Sequence, residues 1–289
     1  MNYKCKFCLI RSSEKMIYDF NLKEEEKDQI VNELFTYISN VDANILTPVA
    51  AREINHIVAN YTKIYDSHLE LKKISNDLAL QQYDDLKKKV LQSDNSYDTA
   101  LRLSIAGNIM DVAAVPDFSN NSQKYFNNTV NKVLTSDFAI DDSLLLKNKI
   151  NESKTILFLG DNAGEIVMDK LFLETIKHPN VYYAVKGNPV MNDATIKDAR
   201  YVGIDKVVKV ISNGYDAPST ILDKCSDEFI DIYDKADLII SKGQGNLEGL
   251  LNVHNKKIFF LLMIKCDVIG NYLGVKSGDF VVYNSKGPS

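Results

Sequence analysis

Apolar and polar positions change their period near the middle of this 289-residue chain. Up to about residue 150, apolar residues recur at the three- and four-residue spacing of amphipathic helices, as between Ile30 and Ile38. Helix-start signals agree with this spacing, because three acids follow Lys23 and the pair Thr47-Pro48 precedes a further apolar series. The amino-terminal part, residues 1–150, is therefore predicted to be a helical domain.

From about Thr155 the pattern changes to short, continuous apolar runs that alternate with helical segments. Such runs indicate strands that are buried on both faces, as in a mostly parallel sheet covered by helices. Residues 151–289 are therefore predicted to form an α/β domain with a doubly wound sheet. The predicted strands are TILFLG (155–160), VYYAVK (181–186), KVVKVI (206–211), DLIISKG (237–243), KIFFLLM (257–263) and DFVVYN (279–284).

Composition narrows the range of partners. Hydrophobic residues make up 45% of the chain, charged residues 25%, and the formal net charge is -5 without a basic block. This charge argues against binding to nucleic acid or to an anionic membrane, so a small substrate is expected. The longest apolar run, Ile258 to Ile264, is too short to span a bilayer, and a cytoplasmic location is expected.

Polar, glycine-containing segments follow five of the predicted strands. Because the carboxyl ends of parallel strands lie at one edge of a sheet, these segments are expected to converge on one crevice. The five segments are Gly160–Glu165, Lys186–Asp193, Ser212–Pro218, Ser241–Asn246 and Lys265–Asp267.

Asp161, Asn162 and Asp193 are candidate metal ligands within these segments. They offer only oxygen atoms, which suit a hard divalent cation such as Mg²⁺ or Mn²⁺. The alternative is that all three are helix caps, since Asp and Asn are favoured there. Residue types alone leave both interpretations open.

Glycines at positions 164, 187, 243 and 245 would let backbone amides approach an anion, and Lys242 or Lys265 could neutralise a phosphate. The chain lacks the full spacing of a P-loop and of a dinucleotide-binding loop, so neither nucleotide site is predicted. The alternative for each lysine is a solvated surface charge.

Two further patches have open interpretations. Asn108 and Asp111 are three positions apart and would share a helix face near a ligand, or serve as a cap or an interdomain contact. Cys5 and Cys8 form a CxxC pair, which could be buried thiols, a redox pair or half of a metal site that recruits Cys266 or a histidine.

Taken together, these motifs resemble one known family. The amino-terminal CxxC, GNIMD, GDNAGE, GNPVMND, SNGYDAP, SKGQGN and the Lys-Cys pair at 265–266 occur in the order seen in the ARMT-like, metal-dependent damage-control phosphatases. The CxxC resembles the prokaryotic branch. The resemblance covers nearly the whole chain and implies an amino-terminal helical domain on a Rossmann-like α/β domain that binds metal and carries the catalytic residues.

The resemblance also implies roles for individual residues. Asp161, Asn162 and Asp193 would be the metal ligands, for Mn²⁺, Mg²⁺, Co²⁺ or Ni²⁺ as cofactor. The remaining residues would line the crevice or hold a small phosphorylated metabolite, with Glu165 and Lys265 assigned to catalysis. These residues are Asn108, Asp111, Glu165, Lys242, Gly243, Asn246 and Lys265.

The predicted reaction is hydrolysis of phosphomonoesters such as sugar phosphates or damaged phosphometabolites. The attacking group would be a water oriented by the metal, by Glu165 or by Asp111, or it would be the Asp161 carboxylate itself. Two other functions are weighed against it. One is an S-adenosylmethionine-dependent carboxyl methyltransferase, and the other is a non-enzymatic binding protein that responds to metal or redox state through its cysteines. The oligomeric state is left open.

Overall fold

The computed structural model describes residues 1–107, 127–128, 130–253 and 258–285. These ranges contain one seven-stranded sheet with helices on both faces. The strands are β1 (Ile140–Asp141), β2 (Ile156–Leu159), β3 (Val181–Val185), β4 (Lys209–Ser212), β5 (Leu238–Lys242), β6 (Ile258–Met263) and β7 (Phe280–Asn284). The helices labelled here are α1 (Tyr3–Asp19), α2 (Glu24–Asn40), α3 (Thr47–Thr62), α4 (Leu69–Gln92), α5 (Ser96–Ala106), α6 (Ser143–Glu152), α7 (Glu165–Ile176), α8 (Ile196–Val202), α9 (Asp227–Lys235), α10 (Gln244–Leu250) and α11 (Asp267–Leu273).

The strand order is β1-β7-β6-β5-β2-β3-β4, and every neighbouring pair is parallel except β6 with β7. The chain proceeds outward from β2 through β3 to β4, then returns to the other side of β2 and continues through β5. This arrangement confirms the predicted doubly wound, mostly parallel α/β fold. It also creates a topological switch point between β2 and β5, where sheets of this kind bind ligands at the carboxyl ends of their strands.

The hydrophobic residues form separate clusters. Helices α1 to α3 pack on one another through residues such as Ile30, Leu34 and Ile54. Helices α4 and α5 instead bury their apolar faces in the cluster that covers one face of the sheet, where Leu101 joins Phe158. Residues of α9, α10 and α11 cover the other face. The division of the chain into domains 1–150 and 151–289 stays a prediction.

Several elements differ from the predictions. No element was assigned to residues 3–19, which form α1, and none to β1, which pairs with β7 at the sheet edge. A two-residue strand has no period to detect. The predicted strand 206–211 begins only at Lys209, because the amides of Val207 and Val208 both donate to Ile204 O and close a 3₁₀ turn.

Among the residues that the structure describes, no helix is both long enough and apolar enough to cross a membrane. The long apolar run near residue 260 forms the buried strand β6. Its apolar character therefore reflects burial on both faces of the sheet.

Candidate active site

The loops after β2 and β3 are joined by backbone hydrogen bonds. Ala194 N donates to Asp161 O over 2.8 Å, and Ala163 N donates to Asn192 O over 2.9 Å. Asn162 and Asp193 face each other in an isolated antiparallel bridge. The structure therefore brings the three predicted ligands together at the carboxyl end of β2, although Asp193 lies far from the other two in sequence.

The helix-cap alternative is wrong for these residues. Helix α7 begins after Gly164 without a side-chain cap from its own chain segment, and Gly164 N donates instead to Asn76 Oδ1 of α4 over 2.7 Å. Helix α8 is capped by Thr195 in a capping box with Asp198. Asp161, Asn162 and Asp193 are thus buried for another reason.

A buried lysine accompanies the three candidate ligands, and the group is called here the Lys186 cluster. Lys186 Nζ donates to Asn246 Oδ1 over 3.0 Å and lies 3.5 Å from Asp193 Oδ2. Asn162 Nδ2 donates to Asp161 Oδ2 over 3.1 Å. The members of the cluster are Asp161, Asn162, Lys186, Asp193 and Asn246, all of them buried.

Within the described residues, Asp193 Oδ2 accepts no hydrogen bond, although it is shielded from solvent. Burial raises the pKa of Asp193 to about 8; Lys186 opposes this shift, and the charge of Asp161 adds to it. The nearest positive charge, Lys186 Nζ at 3.5 Å, makes no hydrogen bond to this oxygen, and a buried carboxylate oxygen without one is costly unless a cation or a proton binds it. The position therefore has the electrostatics of a cation site.

A second buried lysine lies on the α7 side of the crevice, and its group is called the Lys242 cluster. Lys242 Nζ donates to Glu165 Oε1 over 2.6 Å, to Asp169 Oδ1 over 2.5 Å and to Ser104 O over 2.8 Å. Asp169 also accepts hydrogen bonds from Ser104 Oγ and Tyr183 OH, each over 2.7 Å. The members of the cluster are Ser104, Glu165, Asp169, Tyr183 and Lys242.

The pKa values of both Glu165 and Lys242 are raised, but through different causes. Burial raises the pKa of Glu165 to about 7, with Lys242 opposing the shift and the charges of Asp161 and Asp169 adding to it. Burial alone would lower the pKa of Lys242, but the two carboxylates outweigh it and raise that pKa. Asp161 therefore lies close enough to act on the titrating acids of both clusters.

The glycines of the site mainly provide space. A Cβ atom on Gly243 would lie 1.9 Å from Asp161 Oδ2, so only glycine leaves room for that carboxylate. The N–H groups of Gly164 and Gly187 donate to Asn76 Oδ1 and Tyr215 O, so the expectation that these two amides face an anion is wrong. Gly243 N donates to Leu261 O over 3.3 Å.

The other predicted residues are placed as follows. Asn246 is buried, donates to Gly160 O and Lys242 O, and accepts from Lys186, so it links the ends of β2, β3 and β5. Lys265 is exposed, and its positive charge opposes the rise in the pKa of Asp193.

The remaining predicted positions fall near or beyond the end of a described range. Asn108 and Asp111 lie outside the described residues. A Cβ atom on the neighbouring Gly107 would lie 3.0 Å from Glu165 Cγ and 3.1 Å from Glu165 Cα. The backbone of α7 therefore approaches closely at Gly107.

Lys186 and Asp169 were missed as site residues. Lys186 carried a weak signal, because it is the first residue after a fully apolar strand and precedes a glycine. Asp169 carried a clearer one, since it is an acid inside the mostly apolar segment EIVMDKLFL, one helical turn after Glu165. An acid on the buried face of a helix needs a partner, and that partner is Lys242.

The donor set fits a hard divalent ion. In the part of the chain that the structure describes, no three His, Cys, Asp or Glu side chains form a ready metal site. The Lys186 cluster instead offers two carboxylates and an amide oxygen. Across both clusters, four buried carboxylates face two buried ammonium groups, and a dication would offset this excess negative charge.

The cysteines give a different picture. Cys5 is partly buried, which raises its pKa, and Cys8 is exposed. Cys266 is the N-cap residue of α11, and its Sγ lies 3.5 Å from Gln244 Nε2. The role of the CxxC pair stays a prediction.

The chain is similar to known proteins in sequence and in fold. Residues 1–281 match the Damage-control phosphatase ARMT1-like domain. The chain is 35% identical to a damage-control phosphatase of Pyrococcus horikoshii, over 76% of this chain and 75% of that protein. It is 30% identical to a damage-control phosphatase of Archaeoglobus fulgidus, over 96% of each chain.

Two further similarities extend over almost the full length. An uncharacterized protein of Methanocaldococcus jannaschii is 33% identical, over 96% of this chain and 93% of its own. The crystal structure of a DUF89 family protein from Pyrococcus horikoshii superposes with a TM-score of 0.88 at 28% identity, covering 99% of both chains. None of these comparisons tests the assignment to a CxxC-containing branch.

Proposed function

Because this chain belongs to the ARMT1-like damage-control phosphatase family, we propose that it is a divalent-metal-dependent phosphatase acting on phosphomonoesters of small metabolites. Relatives named damage-control phosphatases support the hydrolase class. The observation that carries the metal requirement is the buried Asp193 Oδ2, which accepts no hydrogen bond within the described residues and lies beside Asp161 and Asn162.

Asp161, Asn162 and Asp193 would hold the metal through their side-chain oxygens. A divalent ion such as Mn²⁺, Mg²⁺, Co²⁺ or Ni²⁺ bound there would supply a Lewis acid for the phosphate oxygens. Binding requires both aspartates to be ionised, so the raised pKa of Asp193 makes protons compete with the metal. A mixed carboxylate and amide set favours hard cations over thiophilic ones.

Charged side chains around these ligands would complete the site. Lys186 lies beside Asp193 and offers a positive charge to the phosphate, a role that Lys242 can take only by giving up one of its three protein acceptors. Lys265 at the rim would contact the rest of the substrate, together with Gly243 and Asn246 of the neighbouring loop. Asn108 and Asp111 keep their proposed place in the crevice wall.

Glu165 would orient the attacking water and accept its proton as the new oxygen–phosphorus bond forms and the ester bond breaks. The alcohol then leaves with a proton from solvent. Attack by the Asp161 carboxylate is the second route, and a trapped phosphoaspartate would identify it. The methyltransferase and the thiol-dependent binding protein are not favoured, since the named relatives are phosphatases.

The test is a phosphatase assay on chelator-treated protein. Sugar phosphates, nucleotides and cofactor phosphates are supplied with each of the four metals, and release of inorganic phosphate is measured. We expect turnover only with metal, and we expect Asp161→Asn and Asp193→Asn each to lower kcat by at least about 10²-fold, above the usual cost of altering an outer partner. Mn²⁺ at ten times its Kd should also stabilise the wild-type fold by about 1.4 kcal/mol.

Asp237→Asn is the matched control. Asp237 lies at the opposite edge of the sheet, where its carboxylate accepts from Lys154 N and Thr155 N. An amide oxygen can still accept these bonds, so activity should stay within about twofold of wild type. Equal activity in Asp161→Asn and Asp237→Asn, or full turnover in excess chelator, would contradict the proposal.

A further inference from the structure

We propose that Asp169 is a positioning residue for this hydrolysis, acting through Lys242 on Glu165. The inference rests on the proposed function, because it concerns the orientation of the acid that would activate water. Asp169 is fully buried and lies one helical turn after Glu165 on α7, so the two side chains share a face of that helix.

The contacts of Asp169 fix the position of its carboxylate. Its Oδ1 accepts from Ser104 Oγ of α5 and from Lys242 Nζ, and its Oδ2 accepts from Tyr183 OH of β3. Donors from three separate elements therefore hold the carboxylate in one orientation. The loss of one hydroxyl would still leave two of these donors in place.

Lys242 transmits this orientation to Glu165. Its ammonium group lies between Asp169 Oδ1 and Glu165 Oε1, at 2.5 and 2.6 Å. With Oε1 occupied by Lys242, the second oxygen of Glu165 is directed toward the Lys186 cluster, where Oε2 lies 3.5 Å from Asn162 Nδ2. The chain of contacts thus presents one oxygen of Glu165 to the proposed metal ligands.

Sharing of the ammonium group also limits how closely Lys242 engages Glu165. Two carboxylates accept hydrogen bonds from one ammonium group, so neither has it alone. Without Asp169, Lys242 would pair with Glu165 alone, and the tighter ion pair would hold the acid back from an attacking water.

A purely structural role for Asp169 makes a different prediction. Ser104 and Tyr183 belong to the same network but carry no charge, and Tyr183 also stacks on Phe158. If the network only stabilised the packing of α7, the loss of kcat in any variant would follow its loss of unfolding free energy. If Asp169 acts through Lys242, its charge matters more than the neutral donors.

The first experiment compares Asp169→Asn with Ser104→Ala and Tyr183→Phe in the full chain with Mn²⁺. Asp169→Asn should lower kcat by about 10- to 100-fold with KM within about twofold, because it acts on the reacting group and not on substrate contacts. Ser104→Ala and Tyr183→Phe should keep kcat within about threefold, even where urea unfolding shows lower stability.

The second experiment is a double-mutant cycle with Glu165→Gln. If Asp169 acts through Glu165, adding Asp169→Asn to Glu165→Gln should change kcat by less than about threefold. Losses that multiply in the double variant would overturn the inference, as would a single relation between kcat and stability across all variants. If Asp169→Asn does not unfold cooperatively, the Ser104→Ala/Tyr183→Phe double variant takes its place in the cycle, and a loss of kcat that multiplies with the loss in Glu165→Gln overturns the inference.

Asp161→Asn, assayed alongside, separates the two proposals. Full activity in Asp161→Asn contradicts the proposed function. An inactive Asp161→Asn together with multiplying losses in the cycle contradicts only the role of Asp169.

Discussion

The two buried lysine clusters at the switch point of the sheet have similar composition and different completeness. Lys242 contacts two carboxylates and a carbonyl oxygen within 2.8 Å, and Asp169 accepts three hydrogen bonds. Lys186 approaches Asp193 only to 3.5 Å, and Asp193 Oδ2 accepts no hydrogen bond within the described residues. One cluster is satisfied by the fold, and the other has an acceptor left for a ligand.

The difference shows how one crevice can combine rigidity with binding. A satisfied ionic cluster holds its members in one geometry, and breaking it leaves a buried charge alone. An unsatisfied carboxylate makes the fold less stable but is ready to bind a cation. Glu165 of the Lys242 cluster lies next to Asn162 of the Lys186 cluster. The rigid Lys242 cluster can therefore orient the proposed metal-binding side chains of the Lys186 cluster.

The largest expected effect separates the two lysines by stability. Lys242→Met leaves Glu165 and Asp169 without their shared cation, and we expect a loss of about 3 to 5 kcal/mol in the free energy of unfolding. Lys186→Met removes a longer ion pair and one hydrogen bond, and we expect a loss of about 1 to 2 kcal/mol. Urea unfolding in excess chelator measures both.

Chelator keeps metal from masking this difference. The comparison of the clusters would be wrong if Lys186→Met were the more destabilising change, or if the two losses were equal.

The second expected effect tests the space beside Asp161. Gly243→Ala would place a Cβ atom 1.9 Å from Asp161 Oδ2 and must displace that carboxylate, so we expect about a 10²-fold loss of kcat. Gly274→Ala is the control for a positive φ, since Gly274 has φ +74 against φ +79 for Gly243 but nothing within 4 Å of its Cβ position. Backbone strain is about 1 to 2 kcal/mol for the left-handed Gly274. It is about 1 to 3 kcal/mol for Gly243, whose ψ of 159 places it in a region used almost only by glycine.

Phosphate release and urea unfolding distinguish strain from displacement. Activity in Gly274→Ala should stay near wild type although its stability falls. Similar losses of kcat in both variants would show that strain, and not displacement of Asp161, explains the effect.

The smallest expected effect is a pH dependence of the metal-free fold. The pKa values of Asp193 and Glu165 are raised to about 8 and about 7, above those of the unfolded chain, so the folded state binds more protons between about pH 4 and about pH 8. Stability contributed by these protonated acids is therefore present at low pH and lost as pH rises through this window.

Urea unfolding at several pH values in chelator measures this loss. The loss should be smaller in Asp193→Asn, which cannot ionise, and Mn²⁺ should stabilise wild type more at about pH 8 than at about pH 5. An identical pH dependence in Asp193→Asn and wild type would show that Asp193 is not the titrating group.

Much of the site could be predicted because it depends on short-range rules. Asp161 and Asn162 directly follow an apolar run, and parallel strands place their carboxyl ends at one edge. Asp193 was harder, since it lies beyond β3 and reaches its partners through backbone hydrogen bonds between two loops, from Ala194 to Asp161 and from Ala163 to Asn192. Residue types left a metal ligand and a helix cap both open for it, and the resemblance implied the ligand.

The roles of the lysines could not be predicted in the same way. Lys186 directly follows β3 and Lys242 ends β5, the two strands that flank β2, and both lysines precede a glycine. Which lysine lies beside an acceptor without a hydrogen bond depends on the residues that pack around each ammonium group. Lys242 donates hydrogen bonds to Asp169 of α7 and to the carbonyl oxygen of Ser104 in α5. Lys186 donates only to Asn246 and lies 3.5 Å from the carboxylate of Asp193.

The sequence by itself determined the α/β fold class, the helical character of the amino-terminal part and the oxygen-rich chemistry at the strand ends. These follow from periodicity and residue type, which act locally along the chain. Only the tertiary structure decided which carboxylates are satisfied and which lysine is occupied. Those properties depend on groups from segments up to 138 residues apart, as for Lys242 and Ser104, that meet in the buried interior, where a missing hydrogen-bond partner is costly.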